Sequence, residues 1–167
     1  MKTLFLDIDG VLNHRVDAEV DHTMLLQVHN QMRRFRRDDV YLRLKWLQPT
    51  AVARVNQILD ATGAQLIISS TWRKLNTQEE LQILLGVRGL SHQIMGMTPV
   101  LPPKHFMEQV PRGEEIGAWL ADHPEVTSFA ILDDDWVDPY KAQHVWVHPH
   151  QALTDENVAK AIALLTA

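Results

Sequence analysis

Short apolar runs alternate along the chain with amphipathic stretches in which apolar residues recur every three or four positions. The runs are typical of buried strands in a parallel sheet, and the amphipathic stretches are typical of helices that pack on such a sheet. The predicted strands are residues 3–8, 65–70, 94–98, 129–132 and 145–147. Because strands and helices alternate, we predict a three-layer, Rossmann-like α/β fold around a central, mostly parallel sheet of five strands.

Several helix boundaries follow from capping residues. One helix begins near Pro49, since proline suits the first helical turn, and Gly63 is its C-terminal stop. Thr77 and Glu80 form a capping box for the next helix, which we expect Gly86 to end. Two further helices are predicted at residues 114–120 and after Thr154.

Residues 14–48 fit this alternation poorly. They lie between the first strand and the helix that begins near Pro49, so we interpret them as a small cap inserted after strand 1. No internal repeat or low-complexity linker divides the chain. Its 167 residues are enough to bury one complete core, which predicts a single domain over residues 1–167.

Composition excludes several classes of protein. Hydrophobic residues make up 46% of the chain and charged residues 22%, which is typical of a globular protein and not of a disordered one. The absence of cysteine excludes disulfides, thiol catalysis and cysteine-ligated zinc. No stretch has the length of a membrane span or a signal peptide. We therefore expect a cytoplasmic protein with no membrane association and no obligate protein partner.

Polar clusters follow three of the predicted strands, at residues 7–10, 69–73 and 133–135. In open α/β sheets, ligands bind at the carboxyl ends of the strands, so we expect these clusters to meet. Asp7 and Asp9 reach the same crevice only if the chain turns, and Gly10 permits that turn. Carboxylates this close repel each other unless a cation lies between them. Oxygen-only ligands that include a substrate phosphate indicate a magnesium site.

Each cluster taken alone has a simpler explanation. The Asp-x-Asp-Gly sequence is also typical of a solvated turn, and the triplet at residues 133–135 is typical of a charged surface loop. Their joint occurrence at strand ends, with Ser69 and Ser70 ending the strand between them, favours a functional site.

The same residues resemble motifs of the haloacid dehalogenase (HAD) superfamily of phosphohydrolases. Residues 4–10, Leu-Phe-Leu-Asp-Ile-Asp-Gly, resemble its motif I. Ser70 at the end of a strand is similar to motif II, and residues 131–134, Ile-Leu-Asp-Asp, are similar to motif IV. The resemblance implies a phosphatase with the fold predicted above.

The cation of motif III is less certain to assign. Arg112 is similar to it, and Lys104 is an alternative because lysine is common at that position in the superfamily. Residues 69–73, Ser-Ser-Thr-Trp-Arg, and residues 112–120 resemble, more narrowly, the small-capped HAD domain of Swiss Army Knife RNA-repair proteins.

The resemblance implies a mechanism and a set of ligands. Asp7 is the implied nucleophile, which forms an aspartyl-phosphate, and Asp9 is the implied general acid and base. The implied Mg²⁺ ligands are Asp7, Asp9, Asp133 and Asp134. The expected phosphate-binding residues are Ser70, Thr71, Arg73 and Arg112. Arg73 is included because a guanidinium one turn beyond Ser70 is a good phosphate donor.

The chain is locally basic between positions 33 and 45 although its net charge is −5. Phe35 and Tyr41 interleave with the cations, a combination that suits single-stranded nucleic acid or a nucleotide. A solvated helix face is the alternative interpretation. The residues expected to contact substrate are Arg33, Arg34, Arg36 and Arg37. The expected substrate is a phosphorylated nucleotide or nucleic-acid end, with the choice between 3′ and 5′ phosphate left open.

Two other functions remain open. One is a phosphatase for a small metabolite such as a sugar phosphate, and the other is a non-catalytic phosphate-binding module. The presence of Asp7, Asp9, Ser70 and Asp133 argues against the second.

Other residues that can serve in sites have simpler expected roles. His148 and His150 resemble a metal-binding pair, but the proline between them predicts an exposed loop. Trp136 directly follows the acidic triplet and either packs or lines a substrate entrance. The tryptophans expected in the core are Trp72, Trp119 and Trp146.

Overall fold

The computed structural model describes residues 1–13, 17–103, 105 and 109–167. Its strands are β1 (Lys2–Leu6), β2 (Gln65–Ile68), β3 (Ile94–Met97), β4 (Ser128–Asp133) and β5 (His144–Trp146). They form one sheet in the order β3-β2-β1-β4-β5, and each neighbouring pair is parallel. The predicted α/β fold is confirmed, and this sheet is parallel throughout.

Helices cover both faces of the sheet. They are α1 (His22–Gln31), α2 (Arg37–Trp46), α3 (Pro49–Thr62), α4 (Gln78–Val87), α5 (Arg112–Ala121) and α6 (Asp155–Thr166). Leu4 and Leu6 of β1 belong to the larger core on one face, whereas Phe5 packs with Ile116 and Trp119 of α5 on the other. Alternate side chains of one strand thus enter two cores, which explains its unbroken apolar run. Within the described ranges, no helix has both the length and the apolar character of a membrane span.

The capping residues predict the helix starts well and one helix end wrongly. Helix α3 begins at Pro49 and is capped by Gly63 at a φ of 65°. The capping box of α4 is present, but α4 continues through Gly86, and Gly89 takes the left-handed conformation at a φ of 102°. A glycine inside a helix costs only about 1 kcal/mol. Burial of Leu85 and the rest of the apolar face of α4 outweighs that cost.

Residues 17–48, here called the α1–α2 segment, contain two helices and add no strand to the sheet. Val28, Val40 and Leu44 of the segment are fully buried in the larger core. The buried Arg88 donates hydrogen bonds to the carbonyl oxygens of Leu44 and Glu19, at 2.6 Å each. The expected insertion at residues 14–48 therefore packs firmly on the sheet domain where it is described. Residues 14–16 lie outside the described part, and the role of the segment as a cap stays a prediction.

The tryptophans divide between core and surface. Trp72 and Trp119 are buried as predicted, but the expectation for Trp146 is wrong, because its side chain is 44% exposed. Trp146 lies on β5, an edge strand, and its neighbour Val145 takes the inward position. Successive strand residues point to opposite faces, so Trp146 points outward. Trp136 is 72% exposed and is not a packing residue.

Candidate active site

The carboxyl ends of β1, β2 and β4 meet at one edge of the sheet. Asp7 directly follows β1, Ser70 follows β2, and Asp133 ends β4. The backbone ladder continues up to these residues, since Asp7 N donates to Leu132 O at 2.9 Å and Ser69 N donates to Leu6 O at 2.9 Å. The three predicted polar clusters are therefore brought together by strand register.

Three carboxylates converge at this edge. Asp7, Asp133 and Asp134 each bring one oxygen within 4.8 Å of the others, and Asp7 and Asp133 are buried. Burial raises the pKa of Asp7, against the opposing effects of Arg112 and of a hydrogen bond from the Ser70 hydroxyl. Burial, together with the charge of Asp7, raises the pKa of Asp133 to about 7. Burial also raises the pKa of Asp134. The cluster thus binds protons tightly when no cation is present.

The donor set fits a hard divalent cation. Oδ1 of Asp133 accepts a hydrogen bond from Asp135 N at 3.0 Å, whereas the buried Oδ2 accepts none within the described residues. A buried carboxylate oxygen without a hydrogen bond costs free energy unless a nearby charge offsets it. Three carboxylates that offer only oxygen atoms match the preference of Mg²⁺. The residues present therefore suit the predicted magnesium site.

Arg112, the first residue of α5, reaches into this cluster. Its Nη2 lies 3.5 Å from Asp7 Oδ1, and its Nε lies 3.2 Å from Asp133 Oδ2 in an ion pair without hydrogen-bond geometry. A Cβ at Gly113 would lie 1.7 Å from the carbonyl oxygen of Asp138, so the first turn of α5 packs closely on the loop after β4. Lys104, the alternative motif III cation, lies outside the described residues.

Asp9 is exposed, and two donors orient its carboxylate. Trp72 Nε1 donates to Oδ2 at 3.0 Å, and Asn13 Nδ2 donates to Oδ1 at 2.8 Å. Gly10 has a φ of 71°, and a Cβ there would lie 2.2 Å from Asp134 Oδ2. Both the turn and the neighbouring carboxylate therefore require glycine at this position. The predicted turn exists, and it aims Asp9 beside the buried cluster.

The residues after β2 begin a short 3₁₀ helix (Thr71–Lys74). Ser70 is fully buried, and its hydroxyl oxygen accepts a hydrogen bond from Trp72 N at 3.3 Å. Thr71 is exposed and lines a cleft together with Arg112. Ser70, Thr71 and Arg112 thus lie around the acidic cluster, and their binding of phosphate stays a prediction.

Arg73 does not have the expected environment. Its guanidinium donates to the carbonyl oxygens of Ser69, Ser70 and Thr98 at 2.8, 2.6 and 3.0 Å. It also forms an ion pair with Glu115, and both side chains are nearly completely buried. These contacts point the guanidinium into the protein body, so its predicted phosphate-binding role is wrong. Arg73 instead fixes the backbone that carries Ser70.

The basic run is only partly available to a substrate. Arg34 pairs with Glu80 and donates to Leu75 O at 3.0 Å, so binding a substrate phosphate would break an existing ion pair. We therefore revise the expectation for Arg34 to a contact that joins the α1–α2 segment to α4. Of the expected substrate-contact residues, the exposed ones without a contact of this kind are Arg33, Arg36 and Arg37.

Arg43 belongs to the same run and faces the site. Its guanidinium lies 5.8 Å from the ring centre of Trp72 and 4.6 Å from that of Phe35. It also donates to Asn76 Oδ1 at 3.1 Å. The indole that holds Asp9 is therefore itself held by the α1–α2 segment.

Two clefts open on either side of the acidic cluster. The first, of about 340 Å³, is lined by Asp9, Gly10, Asn13, Trp46, Asp134, Pro149 and His150. The second, of about 430 Å³, is lined among others by Thr71, Lys74, Pro111, Arg112, Asp135 and Trp136. His148 and His150 lie on an exposed loop as predicted. Trp136 lines an entrance to the site, which was one of its two expected roles.

Sequence analysis missed three residues of this site. Asn13 carries a local signal, since a side-chain amide just beyond a turn glycine often closes the turn by hydrogen bonding. Trp72 was assigned only to the core, and Trp46 was not considered. Neither tryptophan has a local signal, because each reaches Asp9 or its cleft from a different part of the chain.

One family model matches the chain: the HAD domain in Swiss Army Knife RNA repair proteins, over residues 3–158. This match confirms the resemblance carried by the motifs. Comparison with curated proteins and with solved structures gave no significant match.

Proposed function

The chain belongs to the family of HAD domains found in Swiss Army Knife RNA repair proteins, and we propose that it is a Mg²⁺-dependent phosphomonoesterase that works through an aspartyl-phosphate. Family membership supports a phosphatase-type hydrolase. The proposed substrate is a phosphate on a nucleotide or at a nucleic-acid end.

The observation that carries this proposal is the contact between Asp7 and its charged neighbours. Arg112 lies 3.5 Å from Asp7, and one oxygen of each of Asp133 and Asp134 lies within 4.8 Å of an Asp7 oxygen. Asp7 is buried, yet a nucleophile must be ionised. Arg112 and a bound divalent cation together would supply the positive charge that keeps it so.

The chemistry divides between Asp7 and Asp9. A carboxylate oxygen of Asp7 forms a bond to phosphorus while the bond from phosphorus to the leaving oxygen breaks. Asp9 gives its proton to that leaving oxygen. Asp9 then takes a proton from water, whose oxygen attacks phosphorus, and the bond from phosphorus to Asp7 breaks. Inorganic phosphate leaves, and both side chains return to their starting states.

The other residues supply charge and orientation. Mg²⁺, when bound by Asp7, Asp133, Asp134 and the backbone carbonyl of Asp9, would neutralise charge on the phosphoryl oxygens. Arg112 offsets the charge that spreads over these oxygens in the transition state. The Ser70 hydroxyl and the Thr71 region bind the phosphate and orient it for attack.

The α1–α2 segment supports the nucleic-acid part of the proposal. It contributes Trp46 to the cleft beside Asp9, and it presents the exposed cations Arg33, Arg36 and Arg37 nearby in the chain. We propose that the segment is a cap whose basic N-terminal part attracts a phosphodiester backbone. A small-metabolite phosphatase would need no such cations.

A phosphatase screen tests this function. Phosphate release is measured with 3′-phosphorylated oligonucleotides, 5′-phosphorylated oligonucleotides, mononucleotides and sugar phosphates, with Mg²⁺ or with chelator. We expect sustained Mg²⁺-dependent release from a nucleotide or oligonucleotide and at least a 10³-fold loss in Asp7→Asn, roughly as for removal of other nucleophiles. A preference for sugar phosphates would indicate the small-metabolite alternative. Absence of turnover with every substrate would indicate the binding module.

A further inference from the structure

We infer that the cleft lined by Asp9, Trp46 and His150 binds the nucleoside of the leaving group, with its base stacked on the Trp46 indole. This inference rests on the proposed function and names the substrate group that the site recognises. The cleft has a volume of about 340 Å³. Sites for small molecules span roughly 300–1,000 Å³, so one nucleoside matches its size and a longer chain does not.

The position of Asp9 assigns the leaving group to this cleft. A general acid must lie within hydrogen-bonding reach of the oxygen that it protonates. Asp9 lines the first cleft, whereas the second cleft is lined by Arg112, Thr71 and Lys74 on the other side of the acidic cluster. The leaving oxygen, and the group attached to it, therefore belong on the Trp46 side.

The walls of the cleft favour a flat, neutral ligand. Trp46 is 44% exposed and, within the described part of the chain, has no ring contact with another aromatic side chain. Its π face is thus available for stacking with a base. Asp9 and Asp134 place two carboxylates in the same cleft, which disfavours a leaving group with a second phosphate or a carboxylate. A nucleoside is planar at its base and carries no charge.

Backbone hydrogen bonds set Trp46 relative to Asp9. Asn13, whose side chain holds Asp9, pairs through its backbone with Leu47 in an antiparallel bridge. Gln48 N also donates to Leu12 O at 2.8 Å. The chain just after Trp46 is therefore fastened to the chain just after the catalytic turn. This connection gives the indole a fixed position beside the general acid, as a specificity-determining residue requires.

The test compares three variants on two substrates. Trp46→Ala removes the proposed stacking face, Trp46→Phe keeps an aromatic ring, and Trp136→Ala is the matched control, an exposed tryptophan of the second cleft. The substrates are adenosine monophosphate, as the 3′ and the 5′ isomer, and ribose 5-phosphate, which has no base. Thermal unfolding verifies that each variant is folded.

We expect Trp46→Ala to lower kcat/KM for adenosine monophosphate about tenfold or more, the usual effect of losing one base stack. Its kcat/KM for ribose 5-phosphate should stay within about twofold of wild type, and Trp46→Phe should recover most of the nucleotide activity. Trp136→Ala should change neither substrate. An equal loss on both substrates, or no loss on adenosine monophosphate, would overturn the inference.

A binding measurement separates this inference from the proposed function. Calorimetry gives the affinity of Asp7→Asn protein for adenosine monophosphate with and without the additional Trp46→Ala change. The additional change should weaken binding about tenfold whether or not the wild-type protein releases phosphate. Equal affinities would reject the stacking site. If phosphate release is absent but binding depends on Trp46, the proposed catalysis fails and the nucleoside cleft stands.

Discussion

The indole nitrogen of Trp72 donates a hydrogen bond to the Asp9 carboxylate at 3.0 Å, although 63 residues separate them in sequence. Trp72 is nearly buried, so packing sets the direction of its N–H. Asn13 holds the other carboxylate oxygen of Asp9, and the guanidinium of Arg43 lies over the indole. Trp72 is thereby a positioning residue for the proposed general acid, since it does not itself face the phosphate.

The first prediction is that Trp72→Phe, which keeps a ring but removes the donor, slows turnover of substrates that need a protonated leaving group. We expect kcat for an alkyl phosphate to fall about tenfold, because a hydrogen bond to a charged group contributes roughly 1.5–3 kcal/mol. Hydrolysis of p-nitrophenyl phosphate should change little, since its leaving group departs without a proton.

The matched control for this change is Trp119→Phe, a buried tryptophan that packs on Phe5 away from the site. It should leave both substrates unaffected. Parallel losses on the alkyl and nitrophenyl substrates in Trp72→Phe would indicate a packing defect and contradict the positioning role.

The second prediction concerns the cation of the site. Arg112→Ala should lower kcat by about 10²–10³-fold, equivalent to roughly 2–4 kcal/mol, because it removes a donor aimed at the developing charge. Single-turnover rates with saturating substrate measure this loss. Lys104→Ala should remain within about threefold of wild type. If Lys104→Ala is crippled while Arg112→Ala is active, the motif III cation is Lys104.

The third prediction is a fall in the stability of the metal-free protein as pH rises. The pKa of Asp133 is raised from 3.8 to about 7 in the folded protein, mainly by burial and then by the charge of Asp7. Between these values the folded state holds a proton that the unfolded chain has released, so unfolding becomes more favourable with rising pH. Asp7 and Asp134 shift in the same direction.

Differential scanning calorimetry in chelator, from about pH 4 to pH 8, measures this slope. Mg²⁺ should raise Tm more at the upper end, because binding must displace a proton at the lower end. The control is Asp133→Asn, which should remove much of the slope and the response to Mg²⁺. A wild-type slope equal to that of Asp133→Asn would contradict the assignment.

The fourth prediction is that Glu115→Ala destabilises the fold by roughly 3–5 kcal/mol, because it leaves the Arg73 charge buried without its partner. Both side chains are almost inaccessible to solvent. Urea unfolding measures the difference. Glu156→Ala, which breaks an exposed ion pair with Lys160, is the control and should leave the unfolding midpoint nearly unchanged. Similar midpoints for both variants would mean that the buried pair adds no stability.

The fifth prediction concerns the basic part of the α1–α2 segment. Combined replacement of Arg33, Arg36 and Arg37 by Ala should weaken binding of a 3′-phosphorylated oligonucleotide. It should also reduce the salt dependence of binding by about 0.7 per lost phosphate contact on a single strand. Fluorescence anisotropy over a range of salt concentrations measures both effects, and hydrolysis of p-nitrophenyl phosphate should not change.

Arg34→Ala provides a contrast, since Arg34 already pairs with Glu80. It should alter thermal stability more than the salt dependence of binding. If the triple variant binds the oligonucleotide as wild type does, these arginines form a solvated surface and the nucleic-acid proposal loses its electrostatic support.

The strand ends could be predicted from sequence because their signal is local. An apolar run followed at once by Asp7 or Asp133 identifies both a buried strand and its reactive edge. The neighbours Trp72 and Arg73 could not be assigned in the same way. In a 3₁₀ helix with three residues per turn, consecutive side chains point about 120° apart. Trp72 therefore faces Asp9 while Arg73 faces Glu115, and only the tertiary contacts distinguish the two directions.

The hydrogen bonds from Arg88 to the carbonyl oxygens of Leu44 and Glu19 bear on how molecules pass in and out of the site. A lid that swung open in every catalytic cycle would have to break them, at about 1.5–3 kcal/mol each. It would also have to part the backbone bridge between Asn13 and Leu47. Entry and exit then use standing openings, without the slow lid motion that limits many enzymes. Discrimination among substrates arises from fit to those openings and not from closure induced by the right one.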